Sequence, residues 1–380
     1  MYILNLIDHT SLLTWILIGA FICAALIQLI YYLFIYTAIS KNKGNARRSP
    51  AKPVSVIICA KNEASNLSQF LPLVLDQDYP DFEVIVVNDS STDETETLLI
   101  ELSTKFKNLR YTNIPENEKF KHGKKLAVTV GIKAAANENL LFIDADCYPA
   151  GKDWIRLMST RFSKQKTIVL GYGRYESRKG FLNTLIRYET LFTAIQYLSF
   201  AIKGKPYMGV GRNLAYSKSL FFENKGFASH YHIQTGDDDL FINEVADKKN
   251  TAVEYSSESH TISLPKESYR DWIKQKQRHL ISGSFYKRST KIKLASELIS
   301  RVVFYGTLLT LCLLSEWIWI ILGIYGVVLI IKALVIKRGM NRLDEKYLLL
   351  PSLILDSVMP IILALIKFSG LFVSNKQTWK

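Results

Sequence analysis

Residues 53–59 read PVSVIIC, a short apolar run rich in β-branched residues, and the polar residues Lys61, Asn62 and Glu63 follow it. A run of this length and composition predicts a buried β-strand. Further strands are predicted at 82–87 (FEVIVV), 109–113 and 139–143 (NLLFI). Helices are predicted between them at 66–75, 92–102 and 125–136. The alternating order predicts an α/β fold with parallel strands and crossover helices.

Three of the predicted strands end in polar or charged loops, after Cys59, Val87 and Ile143. In an open parallel sheet, ligands bind in the crevice beyond the carboxyl ends of the strands. We therefore expect these three loops to converge on one site. After residue 146 the pattern is looser, and it predicts strands at 169–172 and 208–216 and helices at 181–201 and 272–286.

Three apolar zones predict membrane segments. No side chain from Leu12 to Ile39 carries a charge, and this run exceeds the roughly 20 residues that cross a bilayer. The zone from Leu294 to Val335 is long enough for two helices, with a polar turn at Ser315 and Glu316. The zone from Tyr347 to Val373 contains two prolines and an acid. That composition favours a broken or re-entrant helix as much as a clean span.

Basic residues cluster beside these zones, at 41–52, 287–293 and 337–342. By the positive-inside rule, the domain between the first two zones faces the cytosol. The clusters account for the formal net charge of +14 without nucleic-acid binding. We therefore expect a multi-pass protein of the cell membrane with an N-terminal transmembrane helix (1–40), a cytosolic domain (41–290) and a C-terminal membrane region (291–380). The four cysteines lack metal-binding spacing, and no disulfide is expected in a reducing compartment.

Asp144 and Asp146 directly follow the last of the parallel strands, and they point to the same side because one residue separates them. Together with phosphate oxygens they can chelate a hard divalent cation. A cation in that position stabilises a leaving diphosphate. Two solvated turn acids are the alternative, but the apolar strand and Asp89 at a neighbouring strand end favour the metal site.

Four further acids are candidates for the same site. Asp89 can accept a hydrogen bond from a nucleobase or a ribose hydroxyl, and capping the next helix is its alternative role. Asp237, Asp238 and Asp239 are consecutive, so mutual repulsion should raise the pKa of at least one of them. A raised pKa suits a general base, and the alternative is an acidic surface turn.

Two basic clusters could meet phosphates. Gln275, Arg278 and His279 share one face of the predicted helix 272–286, and arginine suits bidentate phosphate binding. A basic helix against anionic lipid is the alternative. The second cluster is a basic loop that comprises Lys119, Lys121, His122, Lys124 and Lys125. The alternative to phosphate binding is that this loop contacts lipid or is simply solvated.

Six motifs, PVSVIICAKNE, VIVVNDSSTDET, GKKLAV, FIDAD, TGDDDL and QKQRH, occur in this order over roughly residues 50–290. In combination they resemble family 2 glycosyltransferases with a GT-A (Rossmann-like) fold, whose membrane-integral members include cellulose, hyaluronan and ceramide-glucosyl synthases. The resemblance implies a hexosyltransferase that depends on Mg²⁺ or Mn²⁺ and uses a nucleotide-sugar donor, with a UDP-sugar expected.

The resemblance also implies roles for single residues. Asp238 matches the family's base aspartate, and Asp146 and Asp144 match its metal-binding and ribose-contacting acids. Gln275 and Arg278 match the first and fourth positions of the QxxRW motif. His279 replaces the usual tryptophan, which leaves processivity open. The other residues implied to bind the donor are Ala60, Lys61, Glu63, Asp89 and Lys124.

These residues predict an inverting, single-displacement transfer by an enzyme surrounded by membrane lipid, with a lipid as the acceptor. The apolar segment 181–201, interrupted by Arg187 and Glu189, suits a lipid entrance, and an ordinary core helix is the alternative. A growing glycan chain is the alternative acceptor. Two other classes stay open, a sugar-phosphate nucleotidyltransferase and a catalytically inactive membrane scaffold.

Overall fold

The computed structural model describes residues 11–41, 51–116 and 123–370 of the chain. The first half contains α1 (Leu12–Lys41), β1 (Val54–Ala60), α2 (Ala64–Leu75), β2 (Phe82–Asp89), α3 (Thr95–Lys105), β3 (Leu109–Ile114), α4 (Lys124–Ala134), β4 (Asn139–Phe142) and β5 (Cys147–Pro149). The second half contains α5 (Trp154–Ser159), β6 (Ile168–Leu170), β7 (Gly173–Tyr175), α6 (Phe181–Ile202), β8 (Leu214–Ser217), α7 (Lys218–Glu223), α8 (Asp239–Val245), β9 (Thr251–Val253), β10 (Thr261–Ser263), α9 (Tyr269–Ser282), α10 (Arg288–Leu314), α11 (Ile318–Arg342) and α12 (Leu349–Gly370).

The predicted parallel sheet is confirmed. Strands β3, β2, β1 and β4 lie side by side and pair in parallel, and helices α2, α3 and α4 connect them within a few residues of the predicted bounds. Residues 84–89 of β2 are all buried, as expected for a strand that helices cover on both faces. The apolar runs therefore became strands because both of their faces are packed.

The sheet continues beyond β4 with an antiparallel strand, in the order β3-β2-β1-β4-β8-β6-β9, and a small second sheet has the order β5-β10-β7. The predicted strand 208–216 is wrong in its first half. Only Leu214–Ser217 is a strand, and Gly211–Asn213 forms a 3₁₀ turn. The amide of Gly211 donates to the Asp238 carboxylate at 2.6 Å instead of to a neighbouring strand.

The predicted helix 272–286 also divides, into α9 and a 3₁₀ turn at Gly283–Phe285. The predicted strand 169–172 is the shorter β6, and the predicted helix 181–201 is α6, which is apolar and buried over most of its length. Helix α6 therefore lies inside the molecule, against the sheet on one side and the apolar helices on the other.

In the part of the chain that the structure describes, four helices are long and apolar enough to cross a membrane, α1, α10, α11 and α12. The predicted break between two of them is confirmed, because α10 ends at Leu314 and α11 begins at Ile318. Helix α12 is continuous, so the predicted break in it is absent. Pro351 lies in its first turn, where the missing N–H costs no intrahelical hydrogen bond, and Pro360 is accommodated in its interior.

Charged side chains are buried where these four helices meet. Asp356 of α12 accepts a hydrogen bond from Lys332 of α11 at 2.7 Å and lies 3.4 Å from Arg301 of α10. Arg301 also pairs with Glu297 one turn earlier. The hydroxyls of Tyr305 and Tyr32 donate to Asp356 at 2.7 and 3.1 Å. Two anions and two cations thus balance within this group.

The connection between α11 and α12 is bound to the α/β domain. Glu345 pairs with Arg187 of α6 at 2.5 Å and accepts from the Tyr172 hydroxyl at 3.0 Å. Asp344 pairs with Arg174 at 3.0 Å. These buried or half-buried contacts fix the start of α12 against the domain.

Candidate active site

A cavity opens beyond the carboxyl ends of β1 and β4. Lys61 and Glu63, which follow β1, and Asp144 and Asp146, which follow β4, line it. The three acids at the start of α8 and the exposed face of α9 line it from the opposite side. The structure therefore brings together four segments that are far apart in the sequence, each carrying charged side chains.

Asp144 and Asp146 form a cluster with Cys147, in which one ligand atom from each residue lies within 4.8 Å of the others. The Cys147 thiol contacts the Ser263 hydroxyl at 2.9 Å. Burial raises the pKa of Cys147 well above its usual value, so the thiol stays protonated. Because Mg²⁺ and Mn²⁺ prefer oxygen ligands, the two carboxylates are the groups in this cluster that fit a hard divalent cation.

Lys124, the first residue of α4, connects two of the acidic segments. Its ammonium donates to Asp144 at 2.8 Å and lies 3.3 Å from Asp237. These carboxylates raise the pKa of Lys124, although its burial acts in the opposite direction. Lys124 is therefore charged and holds the loop after β4 close to the start of α8.

The three consecutive acids have different environments. Asp237 is paired with Lys124, and Asp239 accepts hydrogen bonds from Ser282 and, at 2.7 Å, from Tyr286. Asp238 accepts from the amides of Gly211 at 2.6 Å and Asp239 at 2.7 Å. Burial, then the charges of Asp237 and Asp239, raise the pKa of Asp238 to about 7. Asp238 can therefore exchange a proton near neutral pH.

Gln275, Arg278 and His279 all line the cavity from α9. Gln275 donates to the Tyr175 hydroxyl at 3.2 Å. Desolvation inside the cavity, followed by the positive charge of Lys276 and of nearby arginines, lowers the pKa of His279 well below its usual value. His279 thus presents a neutral imidazole to the cavity, whereas Arg278 presents a positive charge.

The remaining sequence-predicted residues are less exposed to the cavity. Ala60 is buried at the end of β1. Asp89 is fully buried at the end of β2 and is not among the residues that line the cavity. Asp93 accepts from the Thr95 amide at the start of α3, so a neighbour of Asp89 takes the capping role. Glu63 lines the cavity and accepts from Asn66 at 2.5 Å.

The second basic cluster is only partly described. Lys119, Lys121 and His122 lie outside the described residues. Lys125 is buried and donates to the carbonyl oxygens of His230 and Ile233 at 2.6 and 2.8 Å. It does not line the cavity. The expectation that Lys125 meets a phosphate is therefore wrong, because its ammonium is used within the protein.

Arg212 and the pair formed by Lys276 and Glu189 were not predicted from the sequence. Arg212 follows Gly211 on the 3₁₀ turn and lines the cavity. Lys276 of α9 pairs with Glu189 of α6 across the cavity wall. Arg212 lies in a stretch that was interpreted as a strand, although the two glycines that precede it, Gly209 and Gly211, signal a turn.

At its far end the cavity reaches the apolar helices. Leu294 and Leu298 of α10 and Leu363 and Lys367 of α12 line it there. Glu189 also lines this region, whereas Arg187 is used in the contact with Glu345. One continuous space therefore joins the acidic cluster at the strand ends to side chains of two apolar helices.

Comparisons with known proteins agree with this arrangement. Residues 55–223 match the model of the family described as glycosyl transferase family 2. Over 98 residues the chain is 38% identical to the glycosyltransferase AglE of Haloferax volcanii, and the aligned region covers 25% of this chain and 31% of that protein. Over 93 residues it is 31% identical to a poly-β-1,6-N-acetyl-D-glucosamine synthase of Staphylococcus epidermidis, which covers 24% of this chain and 21% of that protein. The matched region thus spans less than a third of these relatives' lengths.

A solved structure has a similar fold over nearly the whole chain. It is the mannosyltransferase PcManGT of Pyrobaculum calidifontis in complex with GDP-Man and Mn²⁺, with a TM-score of 0.64 and 18% sequence identity. The similarity covers 96% of this chain and 100% of that one. The α/β sheet with its site at the strand ends is therefore a GT-A fold, the fold class of nucleotide-sugar-dependent glycosyltransferases. The match of residues 55–223 to the family 2 model indicates that this part of the chain is a glycosyltransferase domain.

Proposed function

We propose that the protein is a membrane-bound, inverting glycosyltransferase that moves a sugar from a nucleotide-sugar to a lipid acceptor. The observation that carries this proposal is the continuous cavity, which runs from Asp144 and Asp146 past Asp238 to Leu294 and Leu363 on two apolar helices. A soluble donor can enter at the polar end. An acceptor with an apolar tail can enter at the other end without leaving the bilayer.

Asp238 is the proposed general base. In a single displacement the acceptor hydroxyl gives its proton to the Asp238 carboxylate, and its oxygen forms a bond to the anomeric carbon. The bond between that carbon and the diphosphate oxygen breaks, and the nucleoside diphosphate leaves with the electron pair. Attack from the face opposite the leaving group inverts the anomeric configuration. A base with a pKa of about 7 suits this proton transfer.

Several residues are proposed to bind the donor. Lys124 and Arg278 can neutralise phosphate oxygens, since both are positively charged and line the cavity. Lys61 and Glu63 after β1 are proposed to contact the nucleoside together with Gln275 and His279. Asp89 and Ala60 are proposed to shape the floor beneath the nucleoside, because both are buried at strand ends.

Asp144 and Asp146 are proposed to hold Mg²⁺ or Mn²⁺. When bound there, the cation would neutralise charge that develops on the departing diphosphate. The Mn²⁺ in the mannosyltransferase structure supports a divalent cation in a fold of this kind. Before the donor binds, Lys124 neutralises Asp144. After the donor binds, the Asp144 carboxylate would contact both Lys124 and the metal ion that holds the diphosphate.

A growing glycan is the second candidate for the acceptor. The similarity to poly-β-1,6-N-acetyl-D-glucosamine synthases favours it, although it covers only 24% of this chain. His279 occupies the position of the tryptophan in the QxxRW motif of the family that the chain resembles. An imidazole ring offers a sugar chain a smaller stacking surface than an indole does. The lipid acceptor is therefore preferred.

The test is to incubate the full-length protein, purified and returned to membranes, with a panel of UDP- and GDP-sugars. The expected products are a free nucleoside diphosphate and a lipid heavier by one sugar residue, both identified by mass spectrometry. Release of inorganic diphosphate would instead indicate a nucleotidyltransferase. A ladder of glycans would indicate a polysaccharide synthase, and absence of donor binding would leave the scaffold alternative.

Removal of divalent cations is expected to abolish transfer, because two carboxylates without a cation would repel the diphosphate. Adding Mn²⁺ or Mg²⁺ should restore the activity. Asp146→Asn should need a higher metal concentration for half-maximal activity, whereas Asp76→Asn, at an exposed acid outside the cavity, should not. Undiminished transfer after exhaustive chelation would remove Asp144 and Asp146 from their proposed role.

We further propose that α12 stays on the cytosolic side of the membrane, with the α/β domain. Glu345, just before α12, and Ser369, near its end, both contact the domain, the latter through Gln277 at 3.1 Å. A straight helix of 22 residues is about 33 Å long. If α12 crossed the membrane, its far end would lie on the side opposite the α/β domain and could not contact it. Leu363 and Lys367 also line the cavity beside Leu294, near the start of α10.

This placement predicts three crossings, by α1, α10 and α11. Tags fused before Met1 and after Lys380 are then expected on opposite sides of the membrane. Protease protection of each tag in sealed vesicles of known orientation measures this directly, and a tag inserted within the α/β domain marks the cytosolic side. If both terminal tags are protected together, α12 crosses the membrane and the proposed placement is wrong.

A further inference from the structure

Arg212 lies on the 3₁₀ turn Gly211–Asn213 and faces the cavity. Its guanidinium lies over the Tyr175 ring, 4.5 Å from the ring centre. Its Nε is buried and has no hydrogen-bond partner among the described residues. Among the described residues, no carboxylate forms an ion pair with Arg212. A half-buried guanidinium without a carboxylate partner can pair with an anionic ligand.

Two of the lysines that line the cavity differ in this respect. Lys124 is paired with Asp144 and Asp237, and Lys276 is paired with Glu189. Their charges are compensated within the protein, whereas that of Arg212 is not compensated by a described carboxylate. Arg212 therefore contributes positive charge that is available to a ligand.

The turn that carries Arg212 lies next to the proposed catalytic residues. The amide of Gly211, the preceding residue, donates to Asp238. A Cβ at Gly211 would lie 3.3 Å from the ammonium of Lys124, which pairs with Asp144. The turn that carries Arg212 therefore lies next to both the proposed base and the lysine that binds a metal-binding acid.

Neighbouring residues fix the arginine in place. Asn213 accepts from the Trp154 indole at 3.0 Å and donates to the carbonyl oxygens of Tyr172 and Ser259 at 2.9 and 2.8 Å. A Cβ at Gly173 would lie 2.6 Å from Arg212 Cγ and 2.7 Å from its Nε. The absence of a side chain at Gly173 thus leaves the room that the Arg212 stem occupies.

We propose that Arg212 binds a phosphate group of a substrate in this cavity. The inference rests on the proposed function, which supplies two sources of that phosphate: the diphosphate of the donor and a phosphate carried by the lipid acceptor. The planar guanidinium suits either one, since it can donate two parallel hydrogen bonds to phosphate oxygens.

The test compares the full-length wild-type protein with Arg212→Gln in detergent. Affinities are measured for UDP and GDP with Mn²⁺, and for dodecyl phosphate against uncharged dodecanol. Arg212→Gln should weaken one anionic probe about tenfold to a hundredfold, as expected for loss of a hydrogen bond to a charged group. Loss of nucleotide affinity assigns the donor diphosphate, and loss of dodecyl phosphate affinity alone assigns an acceptor phosphate.

Unchanged affinity for both anionic probes in Arg212→Gln would overturn the inference while leaving the proposed function intact. A wild-type protein that binds neither nucleotide nor lipid probe would instead overturn the proposed function, and the inference with it.

Three variants separate binding from folding. Gly173→Ala keeps the charge but displaces Arg212, and it should weaken the same probe. Arg212→Lys keeps the charge with fewer donors, and it should fall between wild type and Arg212→Gln. Arg178→Gln removes an arginine that pairs with Glu176 and Glu267 outside the cavity, and it should bind like wild type. Equal losses in Arg178→Gln and Arg212→Gln would contradict a local phosphate contact.

Discussion

Replacing Asp238 with asparagine is expected to lower the rate of sugar transfer by about a hundredfold to ten-thousandfold, the usual contribution of a positioned general base. Asparagine cannot take the proton of the acceptor hydroxyl. The affinity for the nucleoside diphosphate should change little, because Lys124, Arg278 and the metal-binding acids are untouched. Product formation by mass spectrometry and nucleotide binding by calorimetry measure the two quantities separately.

The Asp238→Asn variant needs a control for folding. The carboxylate accepts from two backbone amides, those of Gly211 and Asp239, and the asparagine side chain has only one oxygen to offer them. Retained nucleotide affinity and an unchanged melting temperature would show that the site is intact. Asp76→Asn, at a surface acid paired with Lys152, serves as the matched substitution. Turnover at the wild-type rate in Asp238→Asn would eliminate Asp238 as the base.

The pH dependence of the wild-type enzyme provides a second measurement on the same residue. Burial and two neighbouring carboxylates raise the pKa of Asp238 to about 7. Below that pH the carboxyl is protonated and cannot accept a proton. The value of kcat/KM should therefore rise through pH 7 and fall roughly tenfold per unit on the acid side. A flat profile between about pH 5.5 and 8 would contradict this assignment.

The parallel half of the sheet could be predicted from the sequence because each strand is recognisable from its own residues and the residues next to it. Each of β1, β2 and β4 is a mostly apolar run with most of its residues buried, and polar side chains begin at its end or within two residues of it. Asp144 and Asp146 could be placed for the same reason, since a strand end fixes their position. No long-range contact was needed for either step.

The contacts that make the site a unit were not predictable in this way. Lys124 joins Asp144 to Asp237, and these three residues are far apart in the chain. Arg212 was missed because a glycine-rich run with flanking apolar residues has the composition of a strand, whereas Gly211 in fact turns its amide to Asp238. Which carboxylates a cation meets depends on the tertiary fold and not on the neighbouring sequence.

The apolar helices pose a similar difficulty. Hydropathy identifies α12 as a membrane segment, but composition does not determine whether it crosses. Asp356 indicates that this helix packs against other helices, because a charged side chain in an apolar environment is usually paired. Its partners lie on three other segments of the chain, and only the fold identifies them.

Replacing Asp356 with leucine is expected to destabilise the folded protein by about 3–5 kcal/mol, the typical cost of removing one partner from a buried ion pair. Lys332 would lose its carboxylate, and Arg301 would keep only Glu297. Two cations and one anion would then remain buried among α10, α11 and α12. The measurements are the yield of monodisperse protein from membranes and the melting temperature in detergent.

A second substitution separates charge imbalance from lost packing. Lys332→Met in the Asp356→Leu background leaves Arg301 and Glu297 as a balanced pair, and replacing buried ions by apolar groups of similar size is often tolerated. The double variant should therefore be more stable than Asp356→Leu alone. Ser357→Ala, which removes only a hydroxyl bonded within α12, should match wild type.

If Asp356→Leu melts at the wild-type temperature, the ion pairs do not hold these helices together. If the double variant is no better than the single one, the loss comes from packing around Asp356 and the charge balance is not its cause.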